Sequence, residues 1–187
     1  MSSRSFGCSR AAAPPRSIPR TLSTGPSASR PSPLIEVAGG VTGGREVGAI
    51  QPGGASSNFL GTGQLDVPLD WKPLHEAGSM LGSGAVIVMA EGTDLLAAGT
   101  NVLRFFRNES CGKCVPCRVG SAKAHAMLSE LLERGKGAED VPGEITQLEE
   151  TLRKTSICGL GQVALGPVVS VLGHDRGGPA ARPQPRN

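Results

Sequence analysis

Four cysteines in the second half of the chain are the strongest constraint on its fold. Three of them lie within seven residues, and the fourth follows after forty more: Cys111, Cys114, Cys117 and Cys158. Each iron of a cubane cluster takes one protein thiolate, so a tight loop can supply three ligands while the fourth comes from elsewhere in the fold. The spacing therefore predicts a fold organised around one 4Fe-4S cluster.

Zinc is the main alternative, because four cysteines also form structural zinc sites. Such sites usually pair two separate Cys-x-x-Cys motifs about 15 to 20 residues apart, whereas here two such motifs overlap at Cys114. A disulfide framework is disfavoured, since disulfide scaffolds are normally shorter and denser in cysteine. The pattern favours a cluster in a reducing compartment and leaves zinc open.

Residues beside the cysteines are expected to tune such a centre. Gly112, Gly159 and Gly161 would let the backbone approach sulfur closely, so that N–H groups can donate to it. Lys113 and Arg118 add positive charge, which favours the reduced state of a cluster. We expect these five residues to surround the cysteine ligands.

Other polar residues give weaker signals. Glu109 and Ser110 precede the first cysteine and are expected to orient its loop through hydrogen bonds to the backbone. The three histidines, at positions 75, 125 and 174, are isolated and are interpreted as surface or helix-face residues. No Ser-His-Asp or paired-carboxylate arrangement is readable, so catalysis by this chain alone is not predicted.

The chain between residues 34 and 173 divides into an α+β unit and a helical unit. Val47–Ile50 and Ala85–Met89 have the apolar character of strands between glycine-rich turns, and a short helix is predicted from Trp71 to Gly78. After residue 92 the apolar spacing becomes helical. We therefore predict residues 34–91 and 92–173 as separate domains.

Four helices are predicted in the second domain. The first runs from an N-cap at Thr93 to Asn108, and the second from Val119 to Gly135. The third carries an apolar stripe over residues 145–152, and the last opens at Pro167 and closes at residue 173. Their core is expected to rest on a few large side chains, namely Phe106, Leu128, Leu131 and Leu152. A core this thin would gain stability from a metal cluster.

The two ends of the chain lack core-forming residues. Residues 1–33 are rich in Arg, Ser and Pro without an acidic residue, and residues 174–187 are rich in Gly, Pro and Arg. We predict disordered termini. An Arg- and Ser-rich start is also typical of organelle transit peptides, but its prolines would break the amphipathic helix of such a peptide, so the cytoplasm is favoured over the mitochondrial matrix.

Two classes of partner are not expected. The formal net charge is +3, yet its excess basic residues lie mostly at the ends, without interleaved aromatics, which argues against nucleic acid. The longest apolar run, Ala85 to Ala90, has only the length of a strand, which argues against a membrane span. We expect a soluble protein.

The cysteine segments resemble a known family. Residues 105–120, FFRNESCGKCVPCRVG, resemble the iron-sulfur region of the flavin-bearing, NADH-oxidising subunit of respiratory complex I and of its counterparts in NAD-dependent formate dehydrogenases and NAD-reducing hydrogenases. Residues 156–161 resemble the family's fourth-ligand segment, and residues 167–170 its following helix. Upstream, residues 34–56 and 65–89 resemble its soluble-ligand-binding domain. The resemblance covers about residues 34 to 173.

This resemblance implies a ubiquitin-like β-grasp module followed by an all-α four-helix bundle that holds the cluster. The family binds flavin mononucleotide and NADH in an amino-terminal domain that is not matched before Leu34. We therefore expect both on another domain or a partner. The implied partners are the other subunits of an NADH-linked redox complex, including a flavin-bearing domain and a further iron-sulfur protein.

The implied role is electron relay from reduced flavin to downstream iron-sulfur centres, in the cytoplasm or on the inner face of a membrane complex. Two alternatives stay open: an interaction module stabilised by zinc or a cluster, and a truncated nonfunctional fragment. The chain could equally be a split subunit or have a misread start.

Overall fold

The computed structural model describes residues 30–174, and within them it contains seven α-helices and a small sheet. The prediction of a mixed α and β protein is confirmed. The elements are α1 (Pro31–Val37), β1 (Val47–Pro52), β2 (Leu60–Gly61), α2 (Trp71–Glu76), β3 (Val86–Ala90), α3 (Leu95–Asn108), α4 (Ser121–Glu133), α5 (Glu144–Thr155), α6 (Gly159–Val163) and α7 (Gly166–His174).

The sheet has β1 at its centre, with β2 and β3 paired to it on either side, both antiparallel. Ile50 of β1 lies opposite Leu60 of β2 and Val88 of β3. Ile50 and Leu60 are fully buried and pack with Leu74 of α2. The predicted strands at 47–50 and 85–89 and the predicted helix at 71–78 are confirmed, whereas β2 was not predicted.

Helix α1 was not predicted from the sequence. Proline is tolerated in a first helical turn, and α1 starts at Pro31, inside the segment 1–33 that was predicted to be disordered. Ser32 fixes this turn, because its N–H donates to the Leu65 carbonyl at 3.2 Å and its hydroxyl donates to the Asp66 carboxylate at 2.8 Å. Residues 1–29, Cys8 included, and residues 175–187 lie outside the described part of the chain, while Arg30 is the N-cap of α1 and His174 is the last residue of α7.

The four predicted helical segments of the second half are all helical, as α3, α4, α5 and α7. The N-cap of α3 is Asp94, whose side chain accepts the Ala97 N–H at 2.9 Å, so the prediction of Thr93 was wrong by one residue. A fifth helix, α6, follows Cys158 directly and was not predicted.

The helices pack around one apolar core, in which α3 contacts α4 and α7 while α5 contacts α6 and α7. The four large side chains predicted for this core all belong to it. The buried members are Leu96, Leu103, Phe106, Ala124, Leu128, Leu131, Ile145, Leu152, Ala164, Leu165 and Val168.

The sheet and the helices are joined at Phe59, whose side chain is fully buried. Its N–H donates to the Ser170 hydroxyl of α7 at 3.0 Å. The Phe59 ring also lies near Gly99 of α3, where an added methyl would be 3.7 Å from the ring and 3.5 Å from Val168. None of the helices between residues 30 and 174 is long and apolar enough to cross a membrane.

Candidate metal centre

Three cysteines lie in the connection between α3 and α4. Cys111 is exposed, Cys114 is half-buried, and Cys117 is buried in a single π-helical turn, Pro116–Gly120, that leads into α4. The chain reverses at Gly112, whose φ of +76° is in the left-handed region that favours glycine. The short loop can therefore present three thiols within seven residues.

The fourth cysteine lies between α5 and α6. Cys158 is exposed and is the N-cap of α6, with an extended backbone at φ −131° and ψ 167°. The residue two positions earlier, Ser156, ends α5. The Cys158 thiol therefore lies at the short junction between α5 and α6.

Gly161 brings the two cysteine segments together. A methyl group at Gly161 would lie 2.5 Å from the Ser156 hydroxyl oxygen and 2.8 Å from the Cys117 β-carbon, both too close for a side chain. The first turn of α6 therefore packs directly on Cys117, and only glycine fits there. Gly159, by contrast, has no such neighbour within 4 Å among the described residues.

Cys114 also faces the segment of the fourth cysteine. The backbone N–H of Ile157 is the main reason that the pKa of the Cys114 thiol is lower than its ordinary value, and the N–H of Cys117 adds to the effect while burial opposes it. These N–H groups stabilise a thiolate at Cys114. Peptide groups next to Cys158 and Cys117 thus converge on the Cys114 sulfur.

Two serine hydroxyls lie among the thiols. The Ser110 hydroxyl oxygen is 3.3 Å from the Cys117 sulfur and accepts the Gly112 N–H at 3.4 Å. The Ser156 hydroxyl is buried, and none of the described residues forms a hydrogen bond with it in acceptable geometry. It makes only the smallest contribution to lowering the pKa of Cys114. A buried polar group without a partner needs an explanation, and a sulfur-rich cofactor beside it would supply an acceptor.

The predicted basic residues are placed at the loop. Lys113 and Arg118 are exposed, and neither forms a salt bridge with any described residue. The aliphatic stem of Arg118 lies along the loop, because its δ-carbon would be 3.8 Å from a methyl group at Gly112. Glu109 is exposed at the C-cap of α3. Neither positive charge is therefore paired in an ion pair with a described carboxylate.

Exposed apolar side chains at the cysteine segments were not predicted from the sequence. Val115, Val119 and Ile157 are 60%, 51% and 72% exposed. They lie one or two residues from a cysteine of the predicted set. Exposed apolar residues that cluster on a surface are typical of contact sites for another protein. The helical pattern assigned Val119 to the apolar stripe of the second predicted helix, which was wrong, because the π-helical turn before α4 leaves it exposed.

The donor set fits an iron-sulfur cluster in its chemistry. It consists of four thiols from two packed segments, with N–H and hydroxyl donors directed at sulfur. Among residues 30–174, no three His, Cys, Asp or Glu side chains converge closely enough to hold a single metal ion. A cubane does not require such convergence, because each thiolate binds an iron of its own.

Comparison with protein families locates this centre in a known region. Residues 97–176 match the model of the NADH-ubiquinone oxidoreductase-F iron-sulfur binding region. The chain carries that 4Fe-4S region. The resemblance drawn from the cysteine segments is therefore confirmed, and so is the kind of cofactor.

Individual relatives of the iron-sulfur region agree. An NADH-quinone oxidoreductase subunit of Mycobacterium tuberculosis (strain ATCC 25618 / H37Rv) is 37% identical over 143 residues, which are 76% of this chain and 32% of that protein. The NADP-reducing hydrogenase subunit HndC of Solidesulfovibrio fructosivorans is 34% identical over 139 residues, which are 74% of this chain and 28% of that protein. The chain spans about a third of the length of these curated relatives.

Solved structures show the same similarity. An air-oxidized NAD+-reducing [NiFe]-hydrogenase superposes with a TM-score of 0.68 at 27% identity, covering 86% of this chain and 27% of the hydrogenase chain. The H2-reduced form of that enzyme gives a TM-score of 0.64 at 26% identity. The iron-sulfur region and the part before it thus share their fold with a segment of a larger redox protein.

Proposed function

We propose that Cys111, Cys114, Cys117 and Cys158 hold one 4Fe-4S cluster, and that the chain relays electrons through it within an NADH-linked redox complex. The observation that carries this proposal is the packing of Gly161 on Cys117, which joins two cysteine segments forty residues apart. When bound, the cluster supplies one-electron transfer. The family match and the chemistry of the donor set both support this assignment.

The residues of the chain would hold and tune the cluster. Cys117 is 5% exposed, so its sulfur is shielded from water, while backbone N–H groups donate to Cys114. The unpaired charges of Lys113 and Arg118 favour the additional negative charge of the reduced state. The N–H donors and the positive charges raise the redox potential, which makes the cluster a better electron acceptor, whereas exclusion of water around Cys117 opposes them, because a low dielectric disfavours added charge.

The electron donor is proposed to be a flavin outside this chain. Hydride removal from nicotinamide needs a two-electron acceptor, whereas an iron-sulfur cluster takes one electron at a time. We therefore propose that flavin mononucleotide and NADH bind another domain or a partner subunit, and that the chain is not catalytic alone. The proposed acceptor is a further iron-sulfur protein in the same complex, in the cytoplasm or on the inner face of a membrane complex.

The fold assignment implied by the family belongs to the same proposal. We propose that residues 34–91 form a β-grasp module of the soluble-ligand-binding type, which the three-stranded antiparallel sheet and the packing of α2 on it support. Residues 92–173 are proposed to form a bundle with α3, α4, α5 and α7 as its main helices. The cluster would lie at one end of that bundle.

Anaerobic reconstitution with iron and sulfide tests the ligand set. The wild-type chain should bind about four irons and four sulfides. Cys114→Ser and Cys158→Ser should each lose most of the cluster, because either change leaves one iron without its thiolate. Cys8→Ser is the control and should load normally. Stoichiometric zinc without iron, or a normal cluster in Cys158→Ser, would contradict the assignment.

The location of flavin and NADH can be tested separately. Cluster-loaded chain would be mixed with NADH, flavin mononucleotide and a dye acceptor, and the background of free flavin would be subtracted. We expect turnover only after a flavin-bearing partner is added. Saturable turnover by the chain alone, together with tight flavin binding, would reveal a nucleotide site within it.

A further inference from the structure

We propose that the Ser110 hydroxyl donates a hydrogen bond to the Cys117 sulfur and thereby raises the redox potential of the bound cluster. This inference rests on the proposed function, in which Cys117 is a cluster ligand. It assigns to Ser110 a positioning and tuning role at the sulfur. The sequence predicted only hydrogen bonds from this residue to the backbone of the loop.

The direction of the hydrogen bond follows from its two ends. The Ser110 oxygen lies 3.4 Å from the Gly112 nitrogen and 3.3 Å from the Cys117 sulfur. A backbone N–H can only donate, so the hydroxyl oxygen is the acceptor in the first contact. The single hydroxyl hydrogen is then free to point at the sulfur. A cluster-bound cysteine is a thiolate without a hydrogen, so the sulfur can only accept.

The surrounding structure holds this contact in place. Gly112 has the positive φ that turns the loop at this point. The Cys117 carbonyl accepts the buried Ser121 hydroxyl at 2.6 Å, and Gly161 packs on the Cys117 β-carbon. Ser110 itself is half-buried, while Cys117 is buried. Few water molecules can therefore compete for the sulfur, and a hydrogen bond in such surroundings is stronger than one in water.

A donor at a ligand sulfur acts differently on the two oxidation states. A bound cluster would accept one electron from the proposed flavin donor, and Ser110 would keep its proton throughout. The reduced cluster carries one more negative charge, which is spread partly onto its sulfur ligands. The hydroxyl stabilises this state more than the oxidised one, so the midpoint potential rises. Loss of the hydroxyl should lower the potential without removing any ligand.

The test compares cluster-loaded variants in a redox titration followed by electron paramagnetic resonance. Ser110→Ala should retain its iron but titrate at a lower midpoint potential, and Ser110→Thr, which keeps the hydroxyl, should titrate near the wild-type value. Ser32→Ala is the control, because it removes a hydroxyl that donates to the Asp66 carboxylate and contacts no cysteine. It should leave the potential unchanged.

The outcomes separate this inference from the proposed function. A wild-type chain that takes up no iron would overturn the proposed function, whereas equal potentials for loaded Ser110→Ala and wild type would overturn only the role of Ser110. If Ser110→Ala does not load, Ser110→Val and Ser110→Thr decide, because their side chains have nearly the same shape. If only Ser110→Thr takes up the cluster, the result supports a role for the hydroxyl group. If neither variant takes up the cluster, or if both load and have equal midpoint potentials, the proposed role of the Ser110 hydroxyl is overturned.

Discussion

The sheet region and the helical region of this chain complete their packing in different ways. In the sheet region, Ile50, Leu60 and Leu74 are fully buried against one another, and the buried Gln51 amide donates to the Ser57 carbonyl at 2.8 Å. The helical region has the larger apolar core, but its packing stops at the cysteine segments. Each region contains one buried polar atom without a described partner, Gln51 Oε1 and Ser156 Oγ. Only the second lies among thiols.

This difference teaches where the chain depends on a cofactor. The described sheet region contains no cysteine, so its core packs without any of the proposed cluster ligands. The edge of the helical region instead gathers thiols, N–H donors and positive charges, which are polar groups that the helical core itself does not use. We expect the two regions to respond differently when the cluster or its surroundings are changed.

The largest effect is expected from removal of the cluster. Chelation of iron should speed amide hydrogen exchange in residues 109–120 and 156–163 by more than about tenfold, which corresponds to about 1.4 kcal/mol of local stability. Strands β1 and β3 should keep their protection, because side chains alone complete their packing. Exchange that accelerates equally in both regions would show that the sheet also depends on the cluster.

The next effect concerns the contact between the cysteine segments. Gly161→Ala would force a methyl into Ser156 and Cys117, and overpacking of this kind typically costs about 1 to 3 kcal/mol. Both the melting temperature and the iron content after reconstitution should fall. Gly143→Ala at the N-cap of α5 is the control, because its φ is −57° and its methyl would meet open space away from the cysteine segments. Equal behaviour of the two variants would mean that α6 can move away from Cys117 at little cost.

A smaller effect is expected where the two regions meet. Ser170→Ala would leave the buried Phe59 N–H without its acceptor, which costs about 1 to 3 kcal/mol. In denaturant, the free energy of unfolding should fall by that amount. Thr151→Ala is the control, since it removes an exposed hydroxyl that donates to a helix carbonyl of α5. If Ser170→Ala were as stable as this control, the link between the regions would contribute nothing measurable.

The smallest effect is a pH dependence confined to α5. Burial raises the pKa of Glu149 above its ordinary value, although Arg153 opposes this shift. A carboxyl with a raised pKa stabilises the fold in its protonated form, and this contribution is lost as the pH rises through the folded pKa. The melting temperature of Glu149→Gln, measured relative to that of wild type, should therefore increase as the pH rises from about 4 to 7.

The neighbouring carboxylate is the control for this prediction. Lys154 lowers the pKa of the exposed Glu150, so Glu150 contributes stability above its ordinary pKa and loses it as the pH falls. Relative to wild type, the melting temperature of Glu150→Gln should therefore fall as the pH rises from about 3 to 5, which is the opposite direction to that of Glu149→Gln. Parallel curves for the two variants would contradict the assigned directions.

The sequence predicted the elements that have a strong local pattern. The strands around Val47–Ile50 and Ala85–Met89 and the helices α3, α4, α5 and α7 have such patterns. The two-residue strand β2 is too short for one and exists because it pairs with Ala49 and Ile50. Helix α6 contains two glycines in its first three residues, which disfavour a helix locally. Helix α1 was missed as well, and Ser32 ties it to Leu65 and Asp66. All three missed elements therefore depend on contacts with distant parts of the chain.

The candidate site divides in the same way. The cysteines could be read from spacing, since three thiols within seven residues form a rare pattern. The contact of Ser110 with Cys117 could not be predicted, because the two residues lie seven positions apart across an irregular turn without a periodic pattern. Gly161 packs on Cys117 although the two residues lie forty-four positions apart, and this contact forms only after α4 and α5 have folded back. Close packing of this kind is a property of the assembled fold.

The separation of the two cysteine segments also orders events during synthesis of the chain. The thiols at positions 111, 114 and 117 leave the ribosome first, and Cys158 follows only after α4 and α5 have been made. A nascent chain can therefore offer three corners of a cubane well before the fourth. A complete cluster can be bound by all four cysteines only after Cys158 has been made. A cluster inserted earlier would have one iron without a ligand from this chain, and another thiol in the cell could bind that iron.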